Sequence, residues 1–248
     1  MGIPRLDTSR PRIPAGLLVD GRDTGKVTAA RGTLIGVLAV LAVACSGGEA
    51  PPPATTTPAG ELGIVETGFT GDNGPTVVVL GDSIAYRAIE ALHEALDGDR
   101  VRIAALIGQG YAGDQTTASS GTHLMVDIAT VFAPLNPDVV VFALGTNDAI
   151  IPESTIDEAT AAMRSMDALF PSACLVGVGV NEAATLPGFD TAEARGINLA
   201  LTEIADQFVD ISPLAASSFE PDGIHPPPEA VDNYAALVAD AVDRCVAS

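Results

Sequence analysis

One serine lies at a turn between an apolar run and a helical pattern, a position in which a hydroxyl can act as a nucleophile. Ser83 follows Gly81 and Asp82, directly after the run Thr76–Leu80. The helix predicted to begin there has free N–H groups and positive potential at its N-terminus, and both stabilise a developing oxyanion. Aspartate and serine are also the usual helix caps, so this segment alone indicates a cap at least as readily as a nucleophile.

Two further segments could supply hydrogen-bond donors to such an oxyanion. Asn147 lies in the sequence Gly-Thr-Asn-Asp after the apolar run 138–144, and its amide can donate a hydrogen bond. Gly108 and Gly110 follow the run 101–106, and glycine allows a backbone N–H to approach a substrate closely. Either segment could instead be an ordinary turn or helix cap.

One histidine has the surroundings of a general base. His225 lies in a predicted loop three residues after Asp222, and a carboxylate can hold an imidazole in one tautomer through its Nδ1–H. The other two histidines, His93 and His123, fall inside predicted helices, where a surface or packing role is the ordinary one. Asp222 could alternatively cap its own turn.

Five apolar runs that alternate with helical patterns predict a parallel sheet with helices on both faces. Three of the runs are continuously apolar, which is typical of strands covered on both sides. In such a sheet the reactive groups gather beyond the carboxyl ends of the strands, and each segment above follows a predicted strand. The predicted strands are 76–80, 101–106, 138–144, 174–180 and 208–211, and the predicted helices are 84–96, 123–134, 155–170, 190–206 and 228–246.

Taken together and in this order, the segments resemble the four sequence blocks of the SGNH (GDSL-type) hydrolases. GDSI matches the serine block, GTND the asparagine block and DGIHP the aspartate–histidine block, whereas the glycine block matches most loosely. The resemblance covers about residues 76–246 and implies a three-layer α/β/α sandwich with a five-stranded, flavodoxin-like parallel sheet. It also implies that Ser83 is the nucleophile, that His225 is the general base and that Asp222 orients His225.

These roles imply an esterase that hydrolyses carboxylic esters through an acyl-Ser83 intermediate. The oxyanion hole would consist of the Ser83 and Gly108 N–H groups and the Asn147 amide, with Gly110 as the alternative glycine. The same residues would serve an acyltransferase or deacetylase acting on envelope glycans, and a non-catalytic binding module could also keep the fold.

We expect a monomer without a cofactor, acting on a small-molecule, glycan or lipid ester. Pocket-forming loops are predicted at about 109–122, 149–155 and 181–190, with Phe189 as an apolar wall.

The first 44 residues are predicted to be a signal region rather than part of the fold. Their apolar run 33–44 is shorter than the ~20 residues that span a bilayer, and Lys26 and Arg31 precede it. The run ends at Cys45, in a pattern that resembles a bacterial lipoprotein signal, whose cysteine carries the lipid. An ordinary cleaved signal or an uncleaved anchor is the alternative.

The predicted domain organisation follows from the composition on either side of this signal. Residues 1–26 are polar and contain three prolines, so a true start at Val27 would give a signal of normal length. Residues 45–74, rich in Pro, Thr and Gly, are predicted to be an extended tether, and 75–248 the hydrolase domain. We therefore expect an exported protein, either anchored in the cell membrane through a lipidated Cys45 and facing outward, or secreted.

The charge of the chain and its cysteine content bear on nucleic-acid binding, metal binding and disulfide formation. After residue 44 the chain has 6 basic and 29 acidic groups, a net charge of −23, which repels phosphate backbones and argues against nucleic-acid binding. The cysteines and histidines show no metal-binding spacing. An exported chain with two cysteines beyond Cys45 favours a disulfide, which we predict between Cys174 and Cys245. Two buried free thiols are the alternative.

Overall fold

The computed structural model describes residues 64–70, 73–114, 119–120, 124–152, 154–215 and 223–248. The predicted signal region, Cys45, His123 and Asp222 lie outside these residues. Within these ranges, no helix is long and apolar enough to cross a bilayer.

A six-stranded sheet forms the centre of the described fold, and five of its strands are parallel, as predicted. The described strands are β1 (Ile64–Glu66), β2 (Thr76–Gly81), β3 (Arg100–Leu106), β4 (Gly113–Asp114), β5 (Ser119–Ser120), β6 (Val139–Ala143), β7 (Cys174–Val178) and β8 (Gln207–Val209). The strand order is β1-β3-β2-β6-β7-β8, in which the edge strand β1 runs antiparallel to β3. β4 and β5 form a separate antiparallel pair.

Helices cover both faces of this sheet. The described α-helices are α1 (Ser83–Arg87), α2 (Ile89–Ala95), α3 (Leu124–Phe132), α4 (Ile156–Asp167), α5 (Thr191–Ile204), α6 (Ser212–Ala215) and α7 (Pro228–Val246). The apolar side chains of α1, α2 and α7 pack in the core on one face, and those of α3, α4 and α5 in the core on the other. This arrangement gives the three predicted layers, with the predicted helix at 84–96 divided at Ala88 into α1 and α2.

Strand β2 shows why the sheet is covered on both sides. Val77 and Val79 belong to the core beneath α1, α2 and α7, whereas Val78 and Leu80 belong to the opposite core. All four side chains are 1 % exposed or less. A strand with apolar residues at successive positions has no face for water, so it needs helices on both sides. Burial therefore places β2 inside the sheet and puts Ser83, which follows it, at the carboxyl edge.

The folded part of the chain begins earlier than predicted. β1 lies within residues 45–74, which the composition had assigned to an extended tether, and it pairs with the end of β3. Thr67 extends this pairing, because its N–H donates to the Ile103 carbonyl (3.0 Å) and its hydroxyl accepts from the Ile103 N–H (3.1 Å). A three-residue edge strand takes its hydrogen bonds from its neighbour and shows no periodicity of its own. The predicted boundary at residue 75 is therefore corrected to include β1.

A disulfide joins Cys174, at the start of β7, to Cys245, near the end of α7, and this is the predicted pair. The two residues are 71 positions apart in the sequence, and their Cα atoms are 5.7 Å apart. Closing a loop of that length restricts the unfolded chain and stabilises the fold by about 2–4 kcal/mol. The bridge fixes the C-terminal end of α7 to the sheet, and the N-terminal end of the same helix follows His225.

Candidate active site

Ser83 and His225 meet at the carboxyl edge of the sheet. Ser83 is the first residue of α1, directly beyond β2, and His225 lies in the turn before α7. The Nε2 atom of His225 is 2.8 Å from the Oγ atom of Ser83, although 142 residues separate them in the sequence. At this distance a neutral imidazole can accept the hydroxyl proton of a serine nucleophile.

Helix α1 is capped by Asp82 and not by Ser83. The Asp82 side chain accepts a hydrogen bond from the Ile84 N–H at 2.9 Å. A side chain at Gly81 would overlap the first turn of α1, so the turn between strand and helix requires glycine. Because aspartate supplies the cap, the Ser83 hydroxyl remains for His225. The cap and the predicted nucleophile, which were alternatives for one segment, are thus adjacent residues.

Asn147 and Gly108 reach the same cleft from the ends of β6 and β3. The Asn147 side chain is 3 % exposed, and its Nδ2 atom donates to the carbonyl of Gln109 at 3.0 Å. Since an amide nitrogen carries two hydrogens, the second can serve a ligand in the cleft. Gly108 has a φ of 82°, in the region that L side chains rarely adopt. The bond to Gln109 therefore couples the asparagine to the loop that carries the glycine.

A buried carboxylate fixes the loop that follows β3. Asp148 is 1 % exposed and accepts hydrogen bonds from the N–H groups of Tyr111 (2.6 Å) and Ala112 (2.9 Å). The Ser154 hydroxyl donates to the same carboxylate at 3.0 Å. A side chain at Gly110 would overlap it, so this glycine permits the close approach of Asp148. The sequence offered two glycines for the oxyanion hole. Gly110 faces the Asp148 carboxylate, whereas Gly108 lines the cleft.

The loop that carries His225 is held by a side chain that sequence reasoning missed. Asn181 is 6 % exposed, and its Nδ2 atom donates to the carbonyl of Gly223 at 3.4 Å. Gly223 has a φ of 69°, which favours glycine at this position of the loop. Sequence reasoning could have found Asn181 from its position just beyond β7, at the carboxyl edge of the sheet. Asp222, which was predicted to orient His225, lies outside the described residues.

Apolar side chains line much of the space around Ser83, which we call the Ser83 cleft and which has a volume of about 390 Å³. This volume is within the usual range of small-molecule sites. The lining residues are Ser83, Tyr86, Arg87, Ile107, Gly108, Asn147, Ile150, Leu186, Ile224 and His225. Phe189, the expected apolar wall, is not among the lining residues and packs, partly buried, against the hydrophobic cores, whereas Leu186 of the same loop lines the cleft. No cluster of three or more His, Cys, Asp or Glu side chains that could hold a metal ion occurs among the described residues.

Burial raises the pKa of Asp82 from 3.8 to about 7. The loss of hydration is the largest cause, since the side chain is 1 % exposed, and repulsion from Asp148 acts in the same direction. Hydrogen bonds from the Ile84 N–H and the Thr146 side chain favour the charged form and oppose the shift. In the folded protein, the Asp82 carboxyl beside Ser83 is therefore mostly protonated below about pH 7.

Asp82 should make the fold less stable as the pH rises. Below pH 3.8 its carboxyl is protonated in both states, but between pH 3.8 and about 7 the unfolded chain loses the proton first, so the free energy of unfolding falls. The loss between pH 5 and pH 8 should be on the order of 2–3 kcal/mol. Asp82→Asn keeps an acceptor for the Ile84 N–H and should remove this part of the pH dependence. Urea unfolding of both proteins at the two pH values measures it, and an equal loss in both would contradict the assignment.

Comparison with solved structures finds the same fold in several esterases. The psychrotrophic esterase EstA from Pseudoalteromonas sp. has a TM-score of 0.54 and 13% identity, over 71% of this chain and 100% of that chain. The aryl esterase of M. smegmatis has a TM-score of 0.53 and 18% identity, over 69% and 100% of the two chains. A protein from Parabacteroides merdae described as a GDSL-like lipase has a TM-score of 0.51 and 13% identity, over 71% and 99%.

The sequence itself matches no family model and no curated protein. The likeness to these esterases is therefore one of fold, and it extends over almost the whole length of each of the three solved chains. The described part of this chain has the flavodoxin-like α/β/α fold of the SGNH (GDSL-type) hydrolases, as its sequence motifs predicted.

Proposed function

We propose that this chain is a serine esterase that hydrolyses carboxylic esters through an acyl intermediate on Ser83. The observation that carries the proposal is the 2.8 Å contact between Ser83 Oγ and His225 Nε2 at the N-terminus of α1. Gly108 and Asn147 line the same cleft. A nucleophile, a base in contact with it and donors for an oxyanion are the groups that acyl transfer requires.

The first half of the proposed reaction transfers the acyl group to the enzyme. His225 takes the proton of Ser83 as Oγ bonds to the carbonyl carbon of the ester. The carbonyl oxygen becomes an anion that accepts hydrogen bonds from the N–H groups of Ser83 and Gly108 and from the Nδ2 atom of Asn147. The imidazolium then gives its proton to the leaving oxygen, the ester C–O bond breaks, and the alcohol departs. In this scheme Asp222 orients the imidazole.

The second half of the proposed reaction restores the free enzyme. His225 takes a proton from a water molecule, whose oxygen attacks the acyl carbon on Ser83. The same donors hold the second oxyanion, and Ser83 recovers its proton from His225 as the carboxylic acid leaves. Ile107 and Ile150 line the cleft, and their apolar surface would favour an apolar acyl chain.

The fold neighbours support an ester as the substrate. All three solved proteins compared above are described as esterases or as a lipase. The EstA structure is that of the enzyme inhibited by monoethylphosphonate. We infer that an organophosphonate will also react with this chain, since an activated serine attacks phosphorus as it attacks an ester carbon.

Ser83 should be the residue that a fluorophosphonate probe labels. The wild-type protein and Ser165→Ala, which removes an exposed serine of α4, are expected to be labelled equally. Ser83→Ala should not be labelled, and His225→Ala should be labelled at least about a thousandfold more slowly, because its serine keeps its proton. Gel fluorescence measures the labelling. Persistent labelling of Ser83→Ala at the wild-type rate would remove Ser83 from its role.

Asn147→Ala should impair catalysis far more than it impairs folding. Losing one oxyanion donor lowers kcat by about 10²–10³-fold, whereas the lost hydrogen bond to Gln109 lowers stability by about 1–2 kcal/mol. Asn73→Ala is a suitable control, because this exposed asparagine precedes β2 at the opposite edge of the sheet. Steady-state kinetics with p-nitrophenyl acetate and urea unfolding test both effects. A kcat close to that of the wild type would overturn the role of Asn147.

We also propose that the enzyme works outside the cytoplasm, held at the membrane by a lipid on Cys45. The apolar run 33–44 that ends at this cysteine supports the proposal, and so does the Cys174–Cys245 disulfide, because disulfides persist in oxidising compartments.

Radiolabelled palmitate fed to a bacterial host that expresses the full chain tests the lipid anchor. Label should enter the wild-type protein and be absent from Cys45→Ser, which should also leave the membrane fraction. Cys174→Ser serves as the matched control and should keep the label. Equal labelling of Cys45→Ser and the wild type, or none in either, would contradict the anchor.

A further inference from the structure

A small buried cavity lies beside the turn that precedes Ser83. Its volume is about 10 Å³, close to the least space that holds one water molecule. Three polar side chains line it, those of Asp82, Thr146 and Tyr234, and the rest of its wall consists of apolar side chains and a glycine. The three polar residues are 6 % exposed or less. We call this space the Asp82 cavity.

The Asp82 cavity lies between the two segments that supply the Ser83–His225 pair. Asp82 precedes Ser83 and caps α1, whereas Tyr234 belongs to α7, the helix that begins just after His225. Thr146 follows β6 and donates a hydrogen bond to Asp82. Between the described side chains of Asp82 and Tyr234 there is no direct hydrogen bond. A group that joins these two side chains must therefore occupy the cavity between them.

The electrostatics of the cavity show that the carboxyl and the phenol are close together. Burial is the main cause that raises the pKa of Tyr234, and repulsion from Asp82 adds to it. Burial also raises the pKa of Asp82 to about 7, and Asp148 acts in the same direction. Below that pH the folded protein has a carboxyl group that can both donate and accept. A buried donor without a partner is unfavourable, and a water molecule can serve as that partner.

We propose that one water molecule in the Asp82 cavity bridges the Asp82 carboxyl and the Tyr234 hydroxyl, and that Tyr234 thereby positions His225 against Ser83. The water accepts from the protonated carboxyl and donates to the hydroxyl oxygens of Tyr234 and Thr146. Three partners are the usual number for a buried water. Because Asp82 is fixed to α1 and Tyr234 to α7, the bridge limits movement between the two halves of the pair. The positioning role rests on the proposed esterase function, whereas the bridge does not.

Tyr234→Phe tests the positioning role, because it removes the hydroxyl and keeps the ring. The kcat for p-nitrophenyl acetate is expected to fall about tenfold, the equivalent of one hydrogen bond. KM should stay the same, since Tyr234 does not line the Ser83 cleft and both halves of the reaction use His225. Fluorophosphonate labelling of Ser83 should slow by the same factor. A kcat and a labelling rate equal to those of the wild type would overturn the positioning role.

Tyr111→Phe is the matched control. Tyr111 is also fully buried, but it belongs to the opposite core, and its hydroxyl has no hydrogen-bond partner among the described residues. The substitution keeps the N–H that donates to Asp148. Loss of an unpaired hydroxyl should leave kcat within about twofold of the wild type. A fall as large as that of Tyr234→Phe would mean that loss of any buried hydroxyl has this effect, and would contradict the positioning role.

The bridge can be tested without any ester, by titrating Asp82 in the full-length protein. Nuclear magnetic resonance of the carboxyl carbons follows the titration, and Asp82→Asn identifies the resonance. In Tyr234→Phe the ionised carboxylate loses support from the bridging water, so its pKa should rise by about one pH unit, the equivalent of one hydrogen bond. Tyr111→Phe should titrate like the wild type. An unchanged pKa of Asp82 in Tyr234→Phe would contradict the bridge.

A crystal structure that shows ordered waters completes the test. We expect one water within hydrogen-bond distance of both Asp82 and Tyr234 in the wild type, and an empty cavity or a direct bond between the two side chains would overturn the bridge. If the bridge is absent but hydrolysis depends on Ser83, this inference is wrong and the esterase proposal stands. If no ester is hydrolysed and Ser83 is not labelled, the proposed function is wrong, and the titration still decides whether the bridge exists.

Discussion

Two buried acidic side chains hold together the loops at the carboxyl edge of the sheet, where Ser83 contacts His225. Asp82 caps α1 and accepts a hydrogen bond from Thr146, which joins the end of β2 to the end of β6. Asp148 follows β6 and accepts two N–H groups from the loop beyond β3. A buried carboxyl group is unfavourable unless its hydrogen bonds are made, so these contacts specify one arrangement of the three loops. The contact between Ser83 and His225 depends on that arrangement.

The parallel sheet explains how much of the fold could be predicted. A continuous apolar run such as residues 77–80 is typical of a strand that is covered on both faces. Every strand predicted in this way was found. β1 was missed because three residues at a sheet edge are held by their neighbour and show no periodicity. The same contrast applies to the site. Ser83 and Asn147 follow strands in recognisable motifs and His225 lies in another just before α7, whereas the support that Asn181 gives to Gly223 spans 42 residues and has no local signature.

At the first motif, the structure separates the helix cap from the predicted nucleophile. Asp82 supplies the cap, and its burial raises its pKa. The Ser83 hydroxyl is therefore not needed as a cap and contacts His225. Apolar side chains such as Ile107 and Ile150 line the cleft around this pair.

The acyl group that the proposed mechanism places on Ser83 can be observed directly. The wild-type protein would be mixed with p-nitrophenyl acetate, quenched in acid during turnover, digested and analysed by mass spectrometry. We expect an acetyl group on Ser83, formed in a burst of p-nitrophenol and lost once the substrate is consumed. Continued hydrolysis with no acyl group on Ser83, or with the acyl group on another residue, would contradict it.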